Sequence, residues 1–158
     1  MKYKEVAALF ARAKDPSKGK PVITNARIFM GDEGTYSLRY HNTDIITWYL
    51  DGRILLYDGG WNTISTYRNM NRFLPNSIGV YRKNWNMEVR LLRIYPNHKD
   101  HVNMEHITKH ARENPPFNYN HVSVTKQHYG KRATYIMLHP ITTDCKEYTI
   151  DDMKVVIV

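Results

Sequence analysis

Apolar and polar residues alternate with a recognisable period along most of this chain, and the period changes at a few punctuated places. Over residues 3–13 the apolar positions Val6, Leu9, Phe10 and Ala13 recur at the spacing of one helical face. Asp15-Pro16-Ser17-Lys18-Gly19-Lys20-Pro21 ends that helix, because proline and glycine interrupt periodic structure. Residues 22–30 then read as one apolar-rich strand closed by the turn Gly31-Asp32-Glu33-Gly34. In residues 35–40 the period is two: Tyr36, Leu38 and Tyr40 point one way, Ser37 and Arg39 the other.

Residues 44–50 and 53–57 predict two strands joined at Asp51-Gly52, the strongest short-range hairpin signal in the chain. Gly59-Gly60 ends the second strand. Thr63 or Ser65 then caps a helix that runs to about residue 74 and is stopped by Pro75. The pattern places Ile64, Tyr67, Met70, Phe73 and Leu74 on its inner face, and Arg68, Asn69 and Arg72 on its outer face. Residues 79–82 and 87–95 predict another hairpin, with Asn84-Trp85-Asn86 at its turn. A helix is expected over residues 104–113, strands over 122–125 and 133–138, and a last strand or ordered tail over 155–158. Hairpins dominate, which disfavours parallel βαβ units. The expectation is a single α+β domain over residues 1–158, with an antiparallel sheet of about five to seven strands and two or three packed helices. Residues 114–120 form the one weak seam.

Composition narrows the class. At 158 residues and 42% hydrophobic content the chain is long and apolar enough for one sizeable core. The single cysteine, Cys145, forms no internal disulfide, and no apolar run approaches the roughly 20 residues that span a bilayer. The N-terminal residues do not read as a secretory signal, so the expected setting is cytoplasmic. The net charge of +8 has more influence on function, because a basic surface attracts polyanions.

The junction Gly59-Gly60-Trp61-Asn62-Thr63-Ile64-Ser65-Thr66 concentrates specialised residue types. Glycines permit a tight turn, Trp61 is large enough to fill the space between hairpin and helix, and three hydroxyls can serve the unpaired amides of the first helical turn. A second reading is anion binding at the helix start, without the Lys-Ser/Thr ending of a nucleotide-hydrolysing loop. Together with Asp15-Pro16-Ser17-Lys18-Gly19-Lys20-Pro21, the His41-x-Thr43-Asp44 pair and Asp51-Gly52, this junction resembles a group of small proteins encoded by tailed bacteriophages. The likeness covers residues 15–74. Those proteins continue with an arginine, an apolar residue and an asparagine, where this chain has Asn69, Met70 and Asn71. The resemblance implies phage origin, and action inside a bacterial cell or within a virion. It implies no activity.

Candidate chemistry is sparse. His106 and His110 share a face of the expected 104–113 helix, and with His101 they are the best metal candidates, against the plainer reading of an exposed polar helix. His121-Val122-Ser123 has half of a two-histidine phosphoesterase signature, but acid–base chemistry needs the second half too. Asp44, Asp51 and Asp58 sit on or beside the central hairpin, where turn and strand-end roles already explain Asp51 and Asp58. No catalytic residue and no cofactor are assigned, and a non-enzymatic role is expected. The richest functional signal is basic and aromatic interleaving: Arg68, Arg72, Tyr81, Arg82, Lys83, Trp85, Arg90 and Arg93. Cations neutralise phosphates while Tyr81 and Trp85 stack on bases, so this segment is the candidate nucleic-acid surface. The alternative is a protein-interaction role, as an inhibitor of a bacterial defence enzyme or a virion component, with an acidic partner.

Overall fold

The computed structural model describes residues 1–76, 78–91, 119–128, 130–140, 147–150 and 153–156. Helix α1 (Tyr3–Phe10) precedes five strands: β1 (Lys20–Ile23), β2 (Ala26–Met30), β3 (Tyr36–Tyr40), β4 (Thr43–Trp48) and β5 (Ile54–Tyr57). Helix α2 (Ile64–Phe73) and the hairpin β6 (Ile78–Lys83) and β7 (Asn86–Leu91) follow. The chain then supplies β8 (Tyr119–His128), β9 (Lys131–Pro140), β10 (Glu147–Ile150) and β11 (Met153–Val156). Seven strands form one sheet in the order β1-β2-β3-β4-β5-β9-β8, while β6–β7 and β10–β11 are separate two-stranded sheets. Every described pairing is antiparallel. The α+β expectation holds, with two α-helices among the described residues. The helix expected over 104–113 lies outside them.

The sheet is held by one apolar row. Ile28, Leu38, Ile46, Leu56 and Ile136 are successive cross-strand partners from β2 to β9, and all are fully buried. Burying each side chain is worth about 1.5–3 kcal/mol relative to exposure. Val6 and Phe10 of α1, Met70 and Phe73 of α2, and Val80 and Met87 of the β6–β7 hairpin join the same core. The N-terminus is tied down as well: the Met1 ammonium donates to the Phe73 carbonyl at 2.7 Å, and Trp48 Nε1 donates to the Met1 carbonyl at 3.2 Å.

Three sequence expectations need correction. Residues 22–30 are two strands, not one: Thr24-Asn25 turns the chain between β1 and β2, with Asn25 in the left-handed region at φ 61°. Asparagine tolerates that region better than most residues, so the turn carries no glycine signal. Ile64 is 68% exposed, because it lies six residues before Met70 and hence about 120° round the helix from the buried stripe. Asn69, assigned to the outer face, is buried. Arg68 and Arg72 are exposed as expected.

Asp58 fixes how the sheet hands over to α2. Its backbone extends the β5–β9 ladder by one bond, the amide donating to the Thr134 carbonyl at 3.3 Å. Its carboxylate Oδ1 accepts from the amides of Thr134 and Gly60, both at 2.9 Å. Gly59 and Gly60 then turn with φ of 61° and 75°. A Cβ on Gly59 would stand 2.8 Å from Thr43, and one on Gly60 would stand 2.9 Å from Lys131, so the turn excludes side chains on steric and conformational grounds. Thr63 closes the junction as the α2 N-cap: Oγ1 accepts from the Thr66 amide and also bonds the Ser65 and Thr66 hydroxyls.

Asn71 places the β6–β7 hairpin. Its amide donates to the Val80 carbonyl at 2.8 Å and its carbonyl accepts from the Val80 amide at 2.7 Å. One side chain on α2 thus imitates a strand neighbour for the edge of β6. The hairpin turns at Asn84-Trp85, with φ of 48° and 62°.

Three stability measurements follow from this framework. Asp58→Ala leaves two amides without their acceptor and should lower urea-unfolding stability by about 2–4 kcal/mol, with Asp58→Asn milder because Oδ1 is retained. Asn71→Ala should cost about 1–2 kcal/mol and raise amide exchange in β6 ahead of the sheet. His139 is buried, and burial followed by the Arg53 guanidinium lowers it from 6.5 to about 4, with Asp51 opposing. The unfolded chain therefore takes up that proton first, so the His139 contribution is complete above about pH 6.5 and is lost as pH falls towards 4. Burial raises Asp58, an effect of opposite sign in acid, so the comparison is between chains. His139→Gln should lose less melting temperature than the parent between about pH 7 and pH 5. Equal losses would assign the acid sensitivity to other groups.

Candidate nucleic-acid interface

The loop after β5 carries Trp61 outward. Its amide donates to the Asp58 carbonyl at 2.8 Å and its carbonyl accepts from Thr63 at 2.7 Å, so the backbone is pinned on both sides. The side chain is 55% exposed, which corrects the expectation that Trp61 fills the junction. The Lys131 ammonium sits 3.3 Å from the centre of its ring. Asp58, not the indole, does the joining.

A second tryptophan is presented nearby. Trp85 at the tip of the β6–β7 hairpin is 72% exposed, with the Arg82 guanidinium 4.8 Å from its ring centre. Arg82 also donates to the Asn62 carbonyl at 3.3 Å, and the Asn62 amide donates to the Arg132 carbonyl at 3.3 Å. These bonds tie the hairpin tip to the Trp61 loop and to the start of β9. Two exposed indoles, each covered on one side by a cation, are thus carried on loops that these bonds connect. Tyr67 underpins the connection, its hydroxyl donating to Asn62 Oδ1. Burial, reinforced by the Asp58 charge, pushes the Tyr67 phenol up, so it remains a protonated donor.

A cleft opens beside Trp61. It has a volume of about 350 Å³ between the β3–β4 turn and the first turn of α2. The turn contributes His41, held at φ 51° with its ring 4.4 Å from Tyr40. Thr63, Ser65 and Thr66 line the opposite wall, and Asp58 lies at the floor. The cleft adjoins two others. One shares Asn42, Thr43 and Trp61 with it and reaches Lys131. The other shares Tyr40 and Ser65 and reaches Arg68 and Arg72. The His41-x-Thr43 pair and the Gly59-to-Thr66 junction, separate in sequence, therefore converge on one groove.

The expected nucleic-acid residues fall into three groups. Arg82 and Trp85 belong to the surface just described. Tyr81, Lys83 and Arg90 share the other side of the hairpin, where Arg90 covers the Tyr81 ring at 5.1 Å and Glu88 is the cross-strand partner of Tyr81. Arg68 and Arg72 stand apart on α2, at the far end of the groove. Arg93 lies outside the described residues. Lys131 and Trp61, which stand beside each other on this surface, were not among the candidate binding residues read from the sequence; the clue for the exposure of Trp61 was its place next to two turn glycines, which is a poor site for a core residue. His101, His106 and His110 are outside the described residues, and among the described residues no cluster of three metal-ligating side chains occurs. Among the described residues, no helix is long and apolar enough to cross a membrane.

A model of the family described as Kyanoviridae Gp96 protein matches residues 9–118. The match extends the phage likeness well past residue 74, through the hairpin that carries Trp85. No curated protein and no solved structure matches the chain. The family match covers most of the chain, including the Asp58 junction, the groove and both tryptophans: the protein belongs to the Kyanoviridae Gp96 family of bacteriophage proteins.

Proposed function

We propose that this phage protein binds nucleic acid without acting as an enzyme, through the face built from Trp61, Lys131, Arg82 and Trp85. It acts there in the infected bacterial cell. The observation that carries this reading is the pair of exposed indoles, each with a cation over one side. Burying an indole is strongly favourable, so a chain that pins two of them outward gives up stability unless a partner covers them. Stacked bases supply such a cover, and the adjacent ammonium and guanidinium groups neutralise the phosphates. The net charge of +8 adds long-range attraction for a polyanion. Arg68, Arg72, Lys83 and Arg90 extend the positive field on either side.

Anisotropy titrations with labelled single- and double-stranded DNA and RNA, over a salt series, test the reading. The intact protein should bind with log-log salt dependence. Trp61→Ala and Trp85→Ala together should weaken binding by roughly 30-fold or more, since each stacked base is worth about 1–3 kcal/mol. Arg82→Ala and Lys131→Ala should each reduce the salt slope by about one. Binding that is unchanged in all four variants would remove the function from this face. Stable recovery of an acidic protein partner with no nucleic acid would favour the protein-interaction role instead.

A further inference from the structure

Arg68 and Arg72 line an open cleft between α2 and the β1–β2 turn, and no carboxylate lines it among the described residues. Both side chains are exposed, and among the described residues neither guanidinium has a hydrogen-bond or ion-pair partner. They stand at positions i and i+4 of one helix, where Cβ atoms are about 5–6 Å apart and like charges repel. Arg39 and Arg53, by contrast, are each paired with an aspartate. Asn69 adds a second unmet group. It is 8% exposed, and its carboxamide has no partner among the described residues, yet the side chain is not sealed off, since it forms part of the cleft wall. Ser65, Arg68, Asn69 and Arg72 recur at i, i+3, i+4 and i+7, so one face of α2 presents a hydroxyl, an amide and two guanidinium groups to the same space.

Resting on the nucleic-acid reading above, we infer that this cleft holds the terminal phosphate of a nucleic-acid strand. Charge and donor count choose that group. An internal phosphodiester carries one negative charge and two free oxygens. A terminal phosphate carries close to two charges and three acceptor oxygens. Two guanidinium forks and the Asn69 amide match the second set, because a guanidinium pairs with phosphate oxygens through two parallel N–H donors. The Ser65 hydroxyl, bonded to Thr63, has capacity for one further bond. The cleft volume of about 440 Å³ lies within the range of small-ligand sites. A phosphorylated peptide would meet the same donors, but the surroundings favour a strand. The cleft shares Tyr40 and Ser65 with the one beside Trp61, and that one adjoins the cleft reaching Lys131. A strand anchored by its end between Arg68 and Arg72 therefore has a continuous path to an exposed indole and a further cation.

The test compares single strands of about twelve nucleotides that bear a phosphate at the 5′ end, at the 3′ end or at neither. An unphosphorylated strand two nucleotides longer carries the same added charge without a terminal phosphate. In anisotropy titrations, a strand phosphorylated at one end should bind roughly tenfold tighter than either unphosphorylated strand, and the end preferred gives the strand polarity. Arg68→Ala combined with Arg72→Ala should erase that advantage, and both positions are exposed, so the fold is kept. Arg68→Lys combined with Arg72→Lys keeps the charge but loses the fork, and should remove most of it. Equal affinity for the phosphorylated strands and the longer unphosphorylated one would overturn the inference while leaving nucleic-acid binding in place. Failure of every strand to bind would overturn both. Tight binding of a phosphoserine peptide, with no strand showing an end advantage, would assign the cleft to a protein partner instead. An advantage that survives the double alanine variant would also overturn the inference, since the end would then be held elsewhere.

Discussion

The Asp58 carboxylate is the interaction on which the working part of this structure depends. One of its oxygens gathers the amides of Gly60 and Thr134, so the end of β5, the turn that leaves it and the paired strand β9 are held at one point. The geometry leaves no room for other residue types nearby. Gly59 and Gly60 must be glycine because their backbones are left-handed and their Cβ positions are already taken by Thr43 and Lys131. The direction in which the chain leaves that turn sets where Trp61 projects and where Thr63 starts α2. A carboxylate in that position is costly to bury, and burial accordingly raises it.

The candidate surface is assembled from three parts of the chain that no local rule connects. Trp61 comes from the loop after β5, Trp85 from the β6–β7 turn and Lys131 from the start of β9. Their proximity rests on a few polar bonds. Asn71 fixes the hairpin against α2, while Arg82 and Asn62 fix its tip against the Trp61 loop. The apolar core beneath, centred on the Ile28-to-Ile136 row, supplies rigidity without specifying the surface. That division is common in hairpin-built sheets, where one face is packed and the loops at the ends carry recognition.

Legibility from sequence varied with the source of the signal. Asp51-Gly52 and Asn84-Trp85 were readable as turns because each lies between alternating runs, and both are turns in the structure. Thr24-Asn25 was not, since the apolar run continues through it and no glycine marks the left-handed position. The α2 cap at Thr63 and its stop before Pro75 were readable from residue type alone. The buried side of the helix was not, because Ile64 is apolar and exposed while Thr66 and Asn69 are polar and buried, the Thr66 hydroxyl being met by Thr63 of the same junction. Trp61 was misread for the same reason: size argues for burial, and only the path of the backbone shows that the indole faces outward.

By itself, the sequence determined the α+β class, the antiparallel hairpins, the two described helices and the strongly basic character, because those depend on period, turn chemistry and composition. It also marked the Gly59-to-Thr66 junction and the His41-x-Thr43-Asp44 pair as unusual, without saying why they occur together. The tertiary structure decided that both line one groove, that Asp58 is a buried tie between β5, the turn after it and β9, and that two tryptophans stand exposed beside cations. Those properties arise from contacts between residues as much as 76 positions apart, as in the Asp58–Thr134 bond. Local periodicity carries no information at that range, because the partner that satisfies a polar group is chosen by the packing of the sheet and not by its neighbours in the chain.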